Sequence, residues 1–181
     1  MPKESYIQTS IREFKRMKRL ADGAFAQVTP EQFFAMPSEH DNSIAVIVKH
    51  VGGNLLSRWT DFLTTDGEKS GRNRDSEFEI ALADTQQILI EQWESGWAVL
   101  FSALEPLADG DLERTVTIRG EPLSVLLAIN RQLTHYSYHV GQIVYVAKHY
   151  AASSWRSMSI PRGKSAQYNA NPAKYVEPTR N

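Results

Sequence analysis

His135 and His139 stand four residues apart in a segment whose apolar residues recur at helical spacing. Imidazoles at i and i+4 leave a helix on one face and can converge on a single ion. They flank the stripe Leu133, Tyr136, Val140 and Ile143, where a side chain looks into the groove between helices. A third ligand is needed, and His50 is the best candidate. It flanks the stripe of another long helical segment, with Asn54 and Arg58 following on its own face. Three imidazoles leave coordination positions open to water or substrate, as in catalytic rather than structural sites. The residues alone leave equal room for two flank histidines that are merely solvated. His40 falls in an expected loop and His149 at a helix end, where a cation offsets the helix dipole; both are set aside.

The elements that must position these groups are helices. Residues Ile7, Ile11, Phe14, Ala21, Phe25 and Val28 form one apolar stripe. Thr29-Pro30-Glu31-Gln32 then reads as a capping box opening a short helical turn through Phe33 and Phe34, ended by Pro37. A second long helix begins at Asn42 or Ser43 and carries Ile44, Val48, Val51, Leu55, Trp59 and Phe62. Its stripe runs straight through Gly52 and Gly53, each costing about 1 kcal/mol relative to Ala, so a neighbouring helix or ligand must approach closely there. Residues 64–75 form a polar connection. A third helix, capped near Asp84, carries Leu89, Trp93, Gly96, Trp97, Leu100 and Leu104, and its tryptophans read as packing. Thr115–Ile118 is the one β-favouring run bounded by turn residues, too short to found a sheet. A fourth helix opens around residues 122–124 and ends near Tyr150.

The chain has 181 residues, enough for one domain or a domain with a tail. We expect residues 1–150 to form an all-α bundle of four main helices and residues 151–181 an irregular C-terminal extension. Lys plus Arg total 20 against 21 Asp plus Glu, a net charge of -1 without a basic stripe, which argues against a nucleic-acid partner. There is no cysteine, so thiolate metal sites, disulfides and a protein thiol nucleophile are excluded. No apolar run approaches the roughly 20 residues that span a bilayer, and no secretory leader is visible. The expectation is a cytoplasmic protein without a membrane partner.

Lys49-His50-Val51-Gly52-Gly53-Asn54, together with His135-Tyr136-Ser137-Tyr138-His139-Val140-Gly141-Gln142, resembles the DinB/YfiT-like superfamily of metal enzymes. The resemblance covers residues 1 to about 150, and the tail around Trp155 and Ser159–Gly163 looks like that of an uncharacterised branch. It implies a four-helix bundle with up-down-down-up connectivity and a divalent metal, zinc or nickel, held by His50, His135 and His139. It also implies a homodimer, and thiol-dependent chemistry like that of bacillithiol S-transferases and mycothiol- or glutathione-dependent isomerases.

Around that site, Asn54 and Gln142 are candidates to fix the imidazole tautomers, and Arg58, Arg131 and Arg162 to receive an anionic group. Ordinary surface amides and solvated arginines are the competing readings. The sequence offers no convincing general base: Glu39 and Asp41 precede the His50 helix, and no acid sits at helical spacing from His135. Three functions therefore compete: transfer of a low-molecular-weight thiol cosubstrate to a small electrophile, metal-dependent hydrolysis, and a non-catalytic metal-binding or stress-response scaffold. Ile90 and Phe101, off the centre of the third stripe, could face a partner copy. The tail, with Trp155, Met158, Ile160 and Tyr168, is expected to fold over the histidine site and bring Arg162 to it, docking along the outer face being the alternative.

Overall fold

Residues 5–172 are described by a computed structural model. Four long helices build the core: α1 (Tyr6–Phe25), α3 (Ile44–Trp59), α4 (Gln86–Leu104) and α5 (Val125–Ala151), with the short α2 (Pro30–Phe34) and α6 (Ser165–Ala170) outside them. The all-α bundle is the architecture expected from the four stripes.

Each long helix starts where a hydroxyl caps it. Ser5, Ser43, Thr85 and Ser124 accept from backbone N–H groups three residues on. Thr85, not Asp84, thus caps α4; the Asp84 carboxylate instead accepts from Lys49 Nζ at 2.7 Å and from the Ala81 N–H. The capping box at Thr29 and Gln32 is complete. Phe62 of the second stripe lies beyond the end of α3, buried in the following turn.

Neighbouring pairs are α3 with α4, α1 with α5, α3 with α5 and α1 with α4. Helices α1 and α3 therefore face each other diagonally, as do α4 and α5. Crossing a diagonal takes chain, and both crossing connections are long: one carries α2, the other an antiparallel hairpin of β1 (Thr115–Ile118) and β2 (Glu121–Ser124). The β-favouring run thus finds its partner in the residues just before α5, with Arg119 and Gly120 forming the tip at positive φ.

Trp59, Trp93, Trp97, Phe14 and Tyr136 fill the centre, all essentially inaccessible and in edge or tilted contact with one another. Closest helix approach is between α3 and α4. A Cβ on Gly96 would meet Leu55 Cβ at 2.8 Å and the Gly52 carbonyl at 3.2 Å, while one on Gly52 would meet Gln92 Cγ at 3.2 Å. The mid-helix glycines mark that contact.

Among the described residues, the tail takes the outer-face route. Trp155 and Met158 pack on the core, Met158 seats over Gly23, and the Arg156 N–H donates to Gln27 Oε1 at 2.7 Å. These contacts are with α1 and the turn after it, so the described part of the extension, residues 151–172, does not line the histidine cavity and Arg162 is exposed; residues 173–181 lie outside the described residues. The gap at Gly23, where an added Cβ would stand 2.7 Å from Met158 Sδ, lets this apolar side chain dock there. Ile90 and Phe101 pack against the core and are partly buried.

Gly96→Ala should destabilise the bundle. Overpacking against a Cβ costs about 1–3 kcal/mol, of which better helix propensity returns at most about 1; a lowered urea midpoint at unchanged m-value is the expected reading.

Candidate metal centre

Helices α3 and α5 are neighbours, and a buried clamp sets their register. Trp59 Nε1 on α3 donates to the Tyr136 hydroxyl on α5 at 3.1 Å, and that hydroxyl donates to Asn54 Oδ1 on α3 at 3.0 Å. Burial raises the Tyr136 pKa far above the ordinary phenol range, keeping the hydroxyl a donor. Because Asn54 is one turn after His50 and Tyr136 adjoins His135, the clamp brings the two histidine-bearing faces together.

His50, His135 and His139 each offer a ring nitrogen, all within 4.8 Å of one another. His50 Nε2 and His135 Nε2 are 3.4 Å apart. Two nitrogens about 2.1 Å from a tetrahedral ion would be about 3.4 Å apart. His50 and His139 are buried and His135 is half-buried. Phe78 lies against His50 and Tyr138 against His139, with ring centroids 4.8 and 4.3 Å apart; these faces hold the imidazoles in place and thin the water around them.

Two acceptors fix the tautomers. His50 Nδ1 is 2.8 Å from Glu77 Oε2. Burial would raise the Glu77 carboxyl, but hydrogen bonds from His50 and Arg72 outweigh it and hold the pKa below the ordinary value. An ionised carboxylate only accepts, so Nδ1 carries a proton and Nε2 is the nitrogen left to face an ion. On the other helix His139 Nδ1 donates to Gln142 Oε1 at 2.8 Å, leaving His139 Nε2 buried and without a hydrogen-bond partner. Burial first, then the neighbouring imidazoles, lower His135 to about 3; burial and His50 lower His139 to about 4. Both are neutral near pH 7, as a ligand must be. An orphaned buried lone pair facing two further imidazoles fits a divalent cation, and these three histidines could hold one.

Glu77 is the residue that sequence reasoning missed. It comes from a 3-10 turn, Asp75–Phe78, inside the long connection between α3 and α4. Its carboxylate lies against α3 at Gly53, where an added Cβ would stand 2.9 Å from the carboxyl carbon. Gly53 is three residues after His50, so the gap in the helix surface opens beside the imidazole. That glycine was the available signal, together with the length of a connection joining two adjacent helices.

Beyond Glu77, Arg72 clasps both carboxylate oxygens at 2.7 and 2.8 Å. Glu68 accepts from Arg58 Nη2 at 2.9 Å and from Arg119 Nε at 3.0 Å, and Arg58 Nη1 donates to the Gly67 carbonyl. A cavity of about 600 Å³ opens beside the histidines, lined also by Asn54, Arg58, Arg119, Arg131, Gln132 and Tyr138. Of the residues singled out from sequence, Gln142 contacts His139, Asn54 holds Tyr136, and Arg58 and Arg131 line the cavity. Arg162 does not line it.

A family model described only as a protein of unknown function, DUF1572, matches residues 2–164. The chain belongs to this family. The match runs past α5 through the docked part of the tail, so that segment is shared by the family and not an appendage to it. The fold is similar to that of a conserved protein from Enterococcus faecalis known from its crystal structure, at 16% identity and a TM-score of 0.61, covering 81% of this chain and 98% of that one. Among curated proteins none matches.

Gly53→Ala should push the Glu77 carboxylate away from His50, because the added Cβ would stand 2.9 Å from the carboxyl carbon and something must shift. Loss of such an outer partner typically costs 10–100-fold in metal affinity, read by competition with a chromogenic chelator at unchanged helicity. The depressed histidines carry a second expectation. The unfolded chain binds protons near pH 6.5 and the folded His135 and His139 only near 3 and 4. Stability of the metal-free protein should therefore fall as pH drops from about 6.5 towards 4, and His135→Gln should flatten that slope in urea titrations.

Proposed function

We propose that this protein is a divalent-metal-dependent enzyme of the DinB/YfiT-like kind, transferring a low-molecular-weight thiol to a small electrophile at the His50–His135–His139 site. The observation that supports the reading is the pair of tautomer locks: Glu77 and Gln142 each hold a proton on Nδ1, so that Nε2 lone pairs from two helices point into one place beside a cavity. Solvated flank histidines would not need such locks.

When bound, a zinc or nickel ion would supply Lewis acidity and lower the pKa of a coordinated water or thiol. The chain's own residues do the rest. Phe78 and Tyr138 shield the imidazoles, Gln142 and Glu77 orient them, burial keeps His135 and His139 neutral, and Arg58 and Arg131 present positive charge to an incoming reactant. Glu77 acts through His50: both its oxygens are taken by Arg72 and His50, and it does not line the cavity.

No Asp or Glu among the described residues lines the cavity. Either nucleophile would therefore depend on the ion for its ionisation: a free thiol ionises near pH 8.5, and a water coordinated to zinc would fall from about 15.7 to about 7. Hydrolysis uses the same residues and is the second reading.

Protein purified without a metal-affinity step should carry close to one divalent ion per chain by elemental analysis, and His139→Ala should lose it while remaining helical, because the apolar stripes hold the bundle. A metal-free wild type at neutral pH that also fails to take up zinc or nickel would end the proposal.

A further inference from the structure

The cavity beside the histidines concentrates charge in a chain whose net charge is only -1. Five arginines line it, Arg58, Arg72, Arg74, Arg119 and Arg131, and no carboxylate among the described residues does. Behind the wall, the carboxylates these arginines touch are Glu68, Glu77, Asp66, which accepts from the Arg119 N–H, and the exposed Asp75, which is 3.9 Å from Arg74. The arginines outnumber them by one, before any dication is added. Like charges gathered in one concavity repel, and such an arrangement is stable chiefly where an anion completes it.

The individual side chains are placed for a ligand rather than for the fold. Arg131 precedes His135 by four residues on α5, hence on the same face, and has no ion-pair or hydrogen-bond partner among the described residues. Arg119 sits at φ 58, a backbone region costly for a side chain of this kind. Asp66 holds it there, its carboxylate accepting from the N–H groups of Arg119 and Gly120 at 2.8 Å each. Between the arginines and the histidines lies Gln132, 3% exposed, its Oε1 buried without a partner. A buried acceptor left unpaired costs about 1–3 kcal/mol, which a hydrogen-bond donor in the cavity would relieve.

We propose that the cavity binds a small organic acid, its carboxylate or phosphate group on Arg131 and Arg119 and a hydroxyl or amide N–H of the same molecule on Gln132. The inference rests on the cavity being the reaction site, yet binding of the anion does not require the metal. Arg131, together with the Nη groups of Arg119 that its Nε–Glu68 bond leaves over, can take both oxygens of the acid group, while Arg58 and Arg72, whose guanidinium groups each bond to two acceptors, contribute field and not contacts. The acid group belongs either to the thiol or to its electrophilic partner.

Calorimetric titration of the full chain tests this, with the protein once stripped by chelator and once loaded with zinc. The probes are succinate, inorganic phosphate, mercaptosuccinate and neutral succinamide. At least one anion should bind the stripped protein while succinamide does not, and Arg131→Gln, at an exposed position, should weaken that binding about tenfold without changing zinc content. A larger gain for mercaptosuccinate than for succinate on loaded protein assigns the acid to the thiol, and equal affinities assign it to the other reactant; both support the site. Anions that bind neither form, that bind only through zinc and ignore Arg131→Gln, or that bind no better than succinamide overturn the inference. Anion binding with no zinc uptake would sink the metal reading and leave this one standing.

Discussion

A carboxylate buried inside a helical bundle is tolerable only if it is fully partnered, and Glu77 sets that condition for this molecule. Moving such a charge from water costs several kcal/mol, offset here by two hydrogen bonds from Arg72 and one from His50. Each partner then inherits a fixed position. His50 must show Nδ1–H to the carboxylate and Nε2 to the interior, Arg72 must stay folded under its own loop, and position 53 can carry no side chain. One constraint thereby orients a ligand, orders a connection and explains a helical glycine.

The same chain of charges reaches the hairpin. Arg72 also leans on Glu68, at 3.4 Å, which in turn collects Arg58 and Arg119. The Gly67 N–H donates to the Thr117 carbonyl at 2.7 Å, and Asp66 holds the hairpin tip. Residues 66–77 are thus a strap between the outer side of α3 and the β1–β2 hairpin. Topology does not require its length, since α3 and α4 are neighbours. Its residues serve the site: it supplies Glu77, the partner of His50 Nδ1, and Glu68, the carboxylate that contacts three of the cavity arginines.

Much of this was legible in the residues, and the limits have physical causes. Apolar periodicity fixed the helices because packing of a stripe is a local, repeated demand. The i, i+4 histidines fell on one face for the same geometric reason. The clamp of Trp59, Tyr136 and Asn54 was not legible, since Tyr136 and Trp59 look like any other core aromatics until the helices are side by side. Glu77 was hidden because it lies 27 residues from His50 in a segment without periodicity, where pattern says only that the chain is polar. The strand Thr115–Ile118 was visible but its partner was not, because Glu121-Pro122-Leu123-Ser124 has poor strand composition and pairs only at a sheet edge, where Pro122 loses nothing by lacking an N–H. The tail's aromatics announced docking without saying where. The deciding feature, the gap at Gly23 that Met158 fills, is one residue wide.

Placing neutral imidazoles beside a wall of arginines resolves a conflict between the two halves of the site. A histidine among cations loses its proton readily, and the electrostatic pressure of Arg58, Arg72 and Arg74 acts in the same direction as burial on His135 and His139. That keeps the lone pairs free, but it also works against a bound dication, whose charge meets the same wall. Glu77 eases this on the protein side by placing one negative charge directly behind His50. An anionic reactant would ease it on the open side. The histidines and the arginines are then complementary through the ligand between them: each set is stable alone only at some electrostatic cost, and a molecule carrying both an acid group and a metal-seeking atom lowers the cost of both.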